Sequence, residues 1–349
     1  MRWQRMDMNF TRLRGIVIRC CVIFTITCVA WYMYMSQPDM SLEIIQKACS
    51  VGHIGSKVTD QIPGNDDKSD DMKQVVAVAK AASKHNGAVL VSVVNDAFLP
   101  FAYSWLCNTK HMNIHKSVLV ITTDSLSKRR LNQDCPDLNV VKLNLNIPRG
   151  NQEYSKAGYV QIMIRRTELL LELLQADIEI LLLEFDYMWF DNPLPGLQNM
   201  KGVDFLINPV TSTEVVYNGG FLYMFPTVRS KALWKKLTDM MHDLEKQIAK
   251  KSETFEVSAD ENDQVYFTTL IKERFANVRT RELPLHTYAD GQWYELTEKE
   301  RKSQNTIVIS NNFVLGNLNK MKRAQKWNHW FLHNDCTCNA DLVLKMVHK

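Results

Sequence analysis

The sequence predicts an α/β fold: a single Rossmann-type mixed sheet flanked by helices, preceded by an N-terminal transmembrane helix. Three features lead there. An uncharged run follows a basic N-terminal tail, apolar β-branched runs alternate with helix-period segments, and one of those runs ends in two carboxylates, Glu184 and Asp186.

The N-terminal run comes first. Residues 20–35 carry no charge, and Ile16, Val17 and Ile18 extend the run backwards past Arg19. A hydrocarbon core about 30 Å thick takes about 20 helical residues, and an arginine near the end can snorkel to the headgroups. Arg2, Arg5, Arg12, Arg14 and Arg19 stand against one acid, Asp7, so the positive-inside rule keeps the N-terminus cytoplasmic. A cleaved signal peptide would end in small residues, whereas Trp31, Tyr32, Met33 and Tyr34 fill this exit. The expected organisation is a cytoplasmic tail at 1–15, a signal-anchor at 16–35, a stem at 36–85 and a lumenal domain at 86–340. The stem includes the acid-rich stretch Pro63 to Asp71, too polar to offset its own ordering entropy.

Charge and cysteines narrow the class. The net charge of +4 sits largely in the tail, which leaves the lumenal part near neutral and argues against a nucleic-acid binder. Of eight cysteines, Cys20, Cys21 and Cys28 belong to the membrane end; Cys49, Cys107, Cys135, Cys336 and Cys338 would meet an oxidising compartment. That odd number leaves at least one thiol free or paired between chains. Disulfides are preferred to a zinc site, because no second pair accompanies Cys336 and Cys338.

The lumenal part alternates strand and helix signals. After a helical patch at Val75 to Lys84, the unbroken run Ala88 to Val94 suits a central parallel strand covered on both faces. A helix is expected at Leu99 to Thr109, strands at Ser117 to Thr123 and Asn139 to Leu143, a short helix from Ser127 to Asn132, and a longer one from Tyr159 to Leu174. Further strands fall at Ile178 to Leu183, Val203 to Ile207, Gly219 to Phe225 and Ile307 to Ile309, with a helix from Val228 to Lys250. Such alternation implies right-handed crossovers and a layered sheet. There is no glycine-rich nucleotide loop, no G-x-S-x-G elbow and no H-E-x-x-H helix.

Leu181 to Pro193 is the most informative stretch. Its strand runs into Glu184 and Asp186, whose i, i+2 spacing would place both carboxylates on one side of an extended chain, with Asp191 and Pro193 closing the turn. Ligands of open parallel sheets bind beyond the carboxyl ends of strands, where this pair sits. Hard oxygen ligands there suit Mn²⁺ or Mg²⁺ bridging a diphosphate. The bland alternative is a solvated turn with unpaired acids.

The surrounding order of motifs resembles a family. Asn95-Asp-x-Phe-Leu-Pro-Phe, Val120 to Asp124, Arg165-Arg166, Glu-x-Asp with Trp189 and Asn192-Pro193, Asn218-Gly-Gly-Phe-Leu-Tyr, Asp263-Gln264, and Ser310-Asn-Asn to Gly316 with Trp327 look like the nucleotide-diphospho-sugar transferases. That family includes the plant α-xylosyltransferases of pectin. The likeness covers roughly 86–335. It implies a GT-A-like fold, a nucleotide-sugar donor, in particular a UDP-sugar, a glycan or protein acceptor, a divalent metal and retention of configuration. An anchor with a stem is also the layout of Golgi type II glycosyltransferases.

By the same resemblance Glu184 and Asp186 take the metal position, and Asp186, Asp263 and Gln264 the catalytic one. Asn95 and Asp124 would contact the nucleoside, Arg166 the phosphates, and Asn218, Gly219 and Gly220 the sugar. Asp263 and Gln264 could instead cap a helix, and Arg166 could be a surface charge. Two departures stand out: Glu184 replaces an aspartate, and Ser310 stands where relatives often carry histidine, with His286 a conceivable substitute. They motivate an alternative, a catalytically inactive lumenal binding protein that retains the fold.

Overall fold

The computed structural model describes residues 67–143, 150–210 and 216–347. The expected cytoplasmic tail, the anchor at 16–35 and most of the stem lie outside them. Among the described residues, no helix is long and apolar enough to cross a membrane.

The first element, α1 (Asp67–Asn86), reaches back into the segment assigned to the stem. Val75, Ala79 and Ala82, at i, i+4 and i+7, form a narrow apolar stripe that is at most 1% exposed and joins the main core. Its small side chains explain why so polar a helix packs closely, and the folded unit therefore begins before residue 86. Asn86 fixes the end of the helix by donating to Ser117 Oγ and accepting from Gln198 Nε2 on its carbonyl.

From there strand and helix alternate as expected: β1 (Val89–Val94), α2 (Leu99–Thr109), β2 (Val118–Thr122), α3 (Ser125–Asp134), β3 (Asn139–Lys142), α4 (Ala157–Gln175) and β4 (Ile180–Leu183). The chain continues through β5 (Tyr187–Trp189), α5 (Leu194–Asn199), β6 (Phe205–Pro209), β7 (Tyr217–Met224), α6 (Val228–Ile248), α7 (Asp263–Lys272), β8 (Thr280–Glu282), β9 (Tyr288–Ala289), α8 (Glu298–Ser303), β10 (Val308–Ser310), α9 (Asn317–Lys326) and α10 (Ala340–Val347). The main sheet has the order β3-β2-β1-β4-β7-β6-β8. Its first four strands are parallel, β7 is antiparallel to both neighbours, and β8 pairs in parallel with β6.

β1, buried except for the half-buried Val93, lies inside the parallel half, in keeping with its run of β-branched residues. Its core partners come from α1, α4, α6 and the neighbouring strands. Of a second sheet, β5-β10-β9, the sequence indicated only the central strand, expected at Ile307 to Ile309 and found at Val308–Ser310; β5, β9 and the pairing of the three were not indicated. Its strands have two or three residues each, too few to display a period, yet Tyr187, Met188, Trp189, Tyr288 and Val308 are all buried there. Trp105 of α2 packs edge-on against Trp189, with ring centroids 5.0 Å apart, and joins this layer to the main sheet.

Cys107 of α2 is bonded to Cys338, Cys336 is also in a disulfide, and Cys135 is free. Burial, then the Asp134 carboxylate, push the Cys135 thiol up to about 11, so it is a poor nucleophile.

Candidate active site

The parallel strands β1, β2 and β4 end at Asn95, Asp124 and Glu184 on one edge of the sheet. Because β7 is antiparallel, it enters at that same edge, bringing Asn218, Gly219 and Gly220 beside β4; Leu183 pairs with Phe221, and the Glu184 amide donates to the Gly220 carbonyl at 2.9 Å. This is the crevice position of open α/β sheets.

Arg166 organises the centre. Projecting from α4, it is 4% exposed rather than a surface charge, and it binds Glu184 Oε1 through Nη1 at 2.8 Å and Asp263 Oδ2 through Nη2 at 2.5 Å. Burial opposes its charge, but Asp263 and then Glu184 more than offset that and raise the guanidinium above its ordinary pKa. Both terminal nitrogens are thus engaged by protein carboxylates. In the structure Arg166 holds Glu184 of β4 and Asp263 of α7 together.

Asp263 and Gln264 sit in the first turn of α7, but the cap of that helix is Asn262, whose side chain accepts from the Val265 amide. That leaves both for the site. Gln264 Oε1 accepts from the Gly219 amide at 3.0 Å, while Asn218 Oδ1 accepts from the Gly220 amide at 2.8 Å. The glycines are steric requirements: a Cβ on Gly220 would lie 2.7 Å from Glu184 Oε2, and one on Gly219 3.3 Å from the Gln264 side chain. Gly220→Ala is therefore expected to cost about 1–3 kcal/mol by displacing the Glu184 carboxylate from Arg166. A double-mutant cycle with Glu184→Ala checks the cause, because in that background most of the cost should vanish.

Asp186 is held separately. Residues 184–186 form the turn between β4 and β5 rather than an extended strand, so the i, i+2 argument for a shared side does not apply. Glu184 pairs with Arg166, and Asp186 pairs through Oδ2 with Lys320 Nζ at 2.6 Å. The Asp186 side chain is 2% exposed and that of Lys320 22%. Burial opposes the ammonium, but Asp186 and then Glu184 raise its pKa above the usual lysine value, so it stays charged. The Ser310-Asn-Asn motif fixes this lysine: Asn311 donates to the Lys320 carbonyl, and Arg323 of α9 donates to Asn311 Oδ1 and to the Asn312 carbonyl. Asn312 in turn packs where a Cβ on Gly291 would come within 2.3 Å of its carbonyl oxygen.

The metal expected at Glu184 and Asp186, Mn²⁺ or Mg²⁺, does not fit this donor set. Each carboxylate already faces a protein cation. Ser310, on β10 opposite Tyr187, offers only a hydroxyl, 3.5 Å from Asn218 Nδ2, in place of a nitrogen ligand. His286 is exposed ahead of β9, and its hydrogen bond with Thr306 is made by its carbonyl. Asp186 Oδ1 is buried without a protein partner, but Asp186 lines a cavity of about 20 Å³, room for about one water and not for an ion with its shell. Two unit charges about 4 Å apart repel by about 4 kcal/mol in a partly screened site, and a divalent ion beside the Lys320 ammonium would double that. Among the described residues, the cluster of three ligand side chains is elsewhere: Glu168, His242 and Glu245, on α4 and α6, where Arg165 already pairs with both glutamates.

Of the expected nucleoside contacts, Asp124 is accounted for by the fold. Its two oxygens accept from the amide and hydroxyl of Ser127 and cap α3. Asn95 donates to the Gly150 carbonyl at 2.7 Å and so ties the end of β1 to the segment after β3. Arg166, Glu184, Asn218, Gly219, Gly220, Asp263 and Gln264 are brought together as the sequence indicated. Lys320 and Arg323 were missed. Their segment, Asn317 to Arg323, holds three basic residues, and nothing in its sequence says which one turns to the acidic motif.

The family described as nucleotide-diphospho-sugar transferase matches residues 113–324. Among curated proteins, UDP-D-xylose:L-fucose alpha-1,3-D-xylosyltransferase 1 of Arabidopsis thaliana is 24% identical over 265 residues, covering 71% of each chain. A second Arabidopsis thaliana UDP-D-xylose:L-fucose alpha-1,3-D-xylosyltransferase is 24% identical over 283 residues, covering 76% of this chain and 75% of its own. Among solved structures, the glycosyltransferase GlyE of Streptococcus pneumoniae TIGR4 aligns with a TM-score of 0.41 and 14% identity, over 74% of this chain and 62% of that one. Mouse xyloside xylosyltransferase 1, apo form, aligns with a TM-score of 0.40 and 10% identity, over 65% of this chain and 97% of its own.

Proposed function

The chain belongs to the nucleotide-diphospho-sugar transferase family, and from that premise we propose that it transfers a sugar from a UDP-sugar to a hydroxyl of a glycan or glycoprotein, with retention of anomeric configuration. UDP-xylose is the first donor to try, because the curated relatives carry that donor in their names. Their α-linkage motivates retention, since the sugar of an α-linked nucleotide donor would end α-linked.

The observation that carries this reading is the convergence of Glu184, Asp263, Gln264 and the Gly219-Gly220 backbone on one buried arginine at the carboxyl ends of parallel strands. Glu184, about a third exposed, and Gln264 supply hydrogen-bond acceptors and donors for sugar hydroxyls, and the diglycine lets both side chains pack against the β7 main chain, where a Cβ would displace them. In the reaction the bond from sugar C1 to the β-phosphate oxygen breaks with its electron pair on the phosphate. The acceptor oxygen bonds to C1, and its proton leaves with the nucleoside diphosphate. No nucleophile from the protein is assigned. The contribution of the site is to orient donor and acceptor and to keep its own charges fixed.

The proposal includes a Golgi membrane setting with a type II anchor and a lumenal domain. The Cys107–Cys338 disulfide supports an oxidising compartment. The second reading, an inactive lumenal binding protein, draws on the pairing of both motif carboxylates with protein cations.

A donor panel on the full-length chain separates the two. Release of UDP and sugar from one UDP-sugar, UDP-xylose first, is the expected result. UDP binding without turnover of any nucleotide sugar would give the second reading, and neither binding nor turnover would overturn both.

A further inference from the structure

We infer that the Lys320 ammonium stands in for the divalent metal of this site, so that it binds the donor diphosphate without a metal ion. This rests on the transferase reading above and assigns the diphosphate-binding group within it.

The argument is one of position and chemistry. Lys320 is anchored on the inner side by Asp186, whose carboxylate is closed to solvent, while the lysine itself keeps 22% of its side chain open. An ammonium carries three N–H donors, of which the Asp186 pairing uses one, so the group retains donor capacity for an oxyanion. Its place is at the second acid of the Glu-x-Asp motif, beside the turn that leaves β4, where a cation bridging Asp186 to a diphosphate would have to be. Both motif acids act on the ammonium electrostatically, Asp186 more strongly than Glu184.

The framework that holds the lysine is built for constancy. Asn311 and Arg323 clamp the helix carrying it, and Asn317 donates to the Ala97 carbonyl next to the end of β1. Arg323, itself within the field of Asp186, adds a second positive group on the same helix. Three cations, Arg166, Lys320 and Arg323, thus face three carboxylates, Glu184, Asp186 and Asp263. A diphosphate arriving beside Lys320 meets a locally balanced site whose ammonium is already held in place by Asp186. On bond breaking the charge that develops on the β-phosphate oxygen falls on that ammonium, which needs no proton transfer to accept it.

The test uses UDP as probe in calorimetry and UDP-xylose, or whichever donor the panel returns, in turnover, on the full-length chain in excess EDTA and again in Mn²⁺. Affinity and turnover in EDTA are expected to match those in Mn²⁺. Lys320→Ala is expected to weaken UDP in EDTA by about 10- to 100-fold, the usual worth of a hydrogen bond to a charged group, and Lys320→Arg to keep most of the affinity. In Lys320→Ala the freed Asp186 carboxylate should let Mn²⁺ recover part of the loss, a gain that a purely structural lysine would not show.

A loss of tenfold or more in the unaltered chain on chelation overturns the inference and leaves the transferase reading intact. Unchanged UDP affinity in Lys320→Ala overturns it as well. UDP binding and turnover absent in both buffers would sink the transferase reading and this one together. Should Lys320→Ala fail to fold, the chelation comparison on the unaltered chain and the arginine variant still decide.

Discussion

Arg166→Met is expected to destabilise the folded domain by about 3–5 kcal/mol and to abolish measurable UDP binding. Removing one partner of a buried ion pair leaves the other charge uncompensated, and Asp263, 10% exposed, would bear most of that cost. The Glu184 arm, at 35% exposure, contributes less because solvent screens it. Thermal unfolding with and without UDP reads both effects. Arg166→Lys should fall close to the methionine variant in binding, since one ammonium cannot reproduce two nitrogens that reach Glu184 and Asp263 at once. Full UDP affinity in Arg166→Met would remove Arg166 from the site altogether.

The second large effect concerns the disulfide between Cys107 and Cys338, which closes a sequence separation of 231 residues. On a chain-entropy argument, replacing both by alanine should lower stability by about 5 kcal/mol. For a domain of this size that corresponds to a fall in Tm of about 10 °C or more. The bond ties α2 to the segment ahead of α10, away from the acidic motif, so UDP affinity below the transition should not change. A Tm within about 2 °C of the unaltered chain would mean that α2 and the C-terminal segment are held by packing alone. Non-covalent contacts hold α2 as well: the Phe331 amide of the C-terminal segment donates to Ser104, and Asn108 anchors α2 to β5 by pairing with both main-chain groups of Trp189.

Much of the fold is legible in the sequence because the elements that build the main sheet are long enough to show their period. The run that becomes β1 and the helix-spaced apolar residues of α4 are of this kind, and the structure returns both within a few residues of the expected bounds. The second sheet is the counterexample. Only β10 carries a local strand signal; β5, β9 and the assembly of the three are decided by burial between α2 and the main sheet, which no local window contains. Helix α1 lies between these cases. Its composition reads as a stem, and three small apolar side chains on one face suffice to dock it once the sheet exists.

The site divides along the same line. The α/β alternation, the carboxylates at the end of β4, the diglycine of β7 and the acid and amide at the start of α7 can be read along the chain, because residue type and order are written there. Which charge neutralises which is set by the packing of distant segments. That Arg166 joins Glu184 to Asp263 across 97 residues, and that Lys320 reaches Asp186 across 134, depends on the packing of α4, α7 and α9 around one sheet edge. Coulomb energy falls with distance in space and takes no account of distance along the chain, so a charge's partner can be known only once the fold has set the distances.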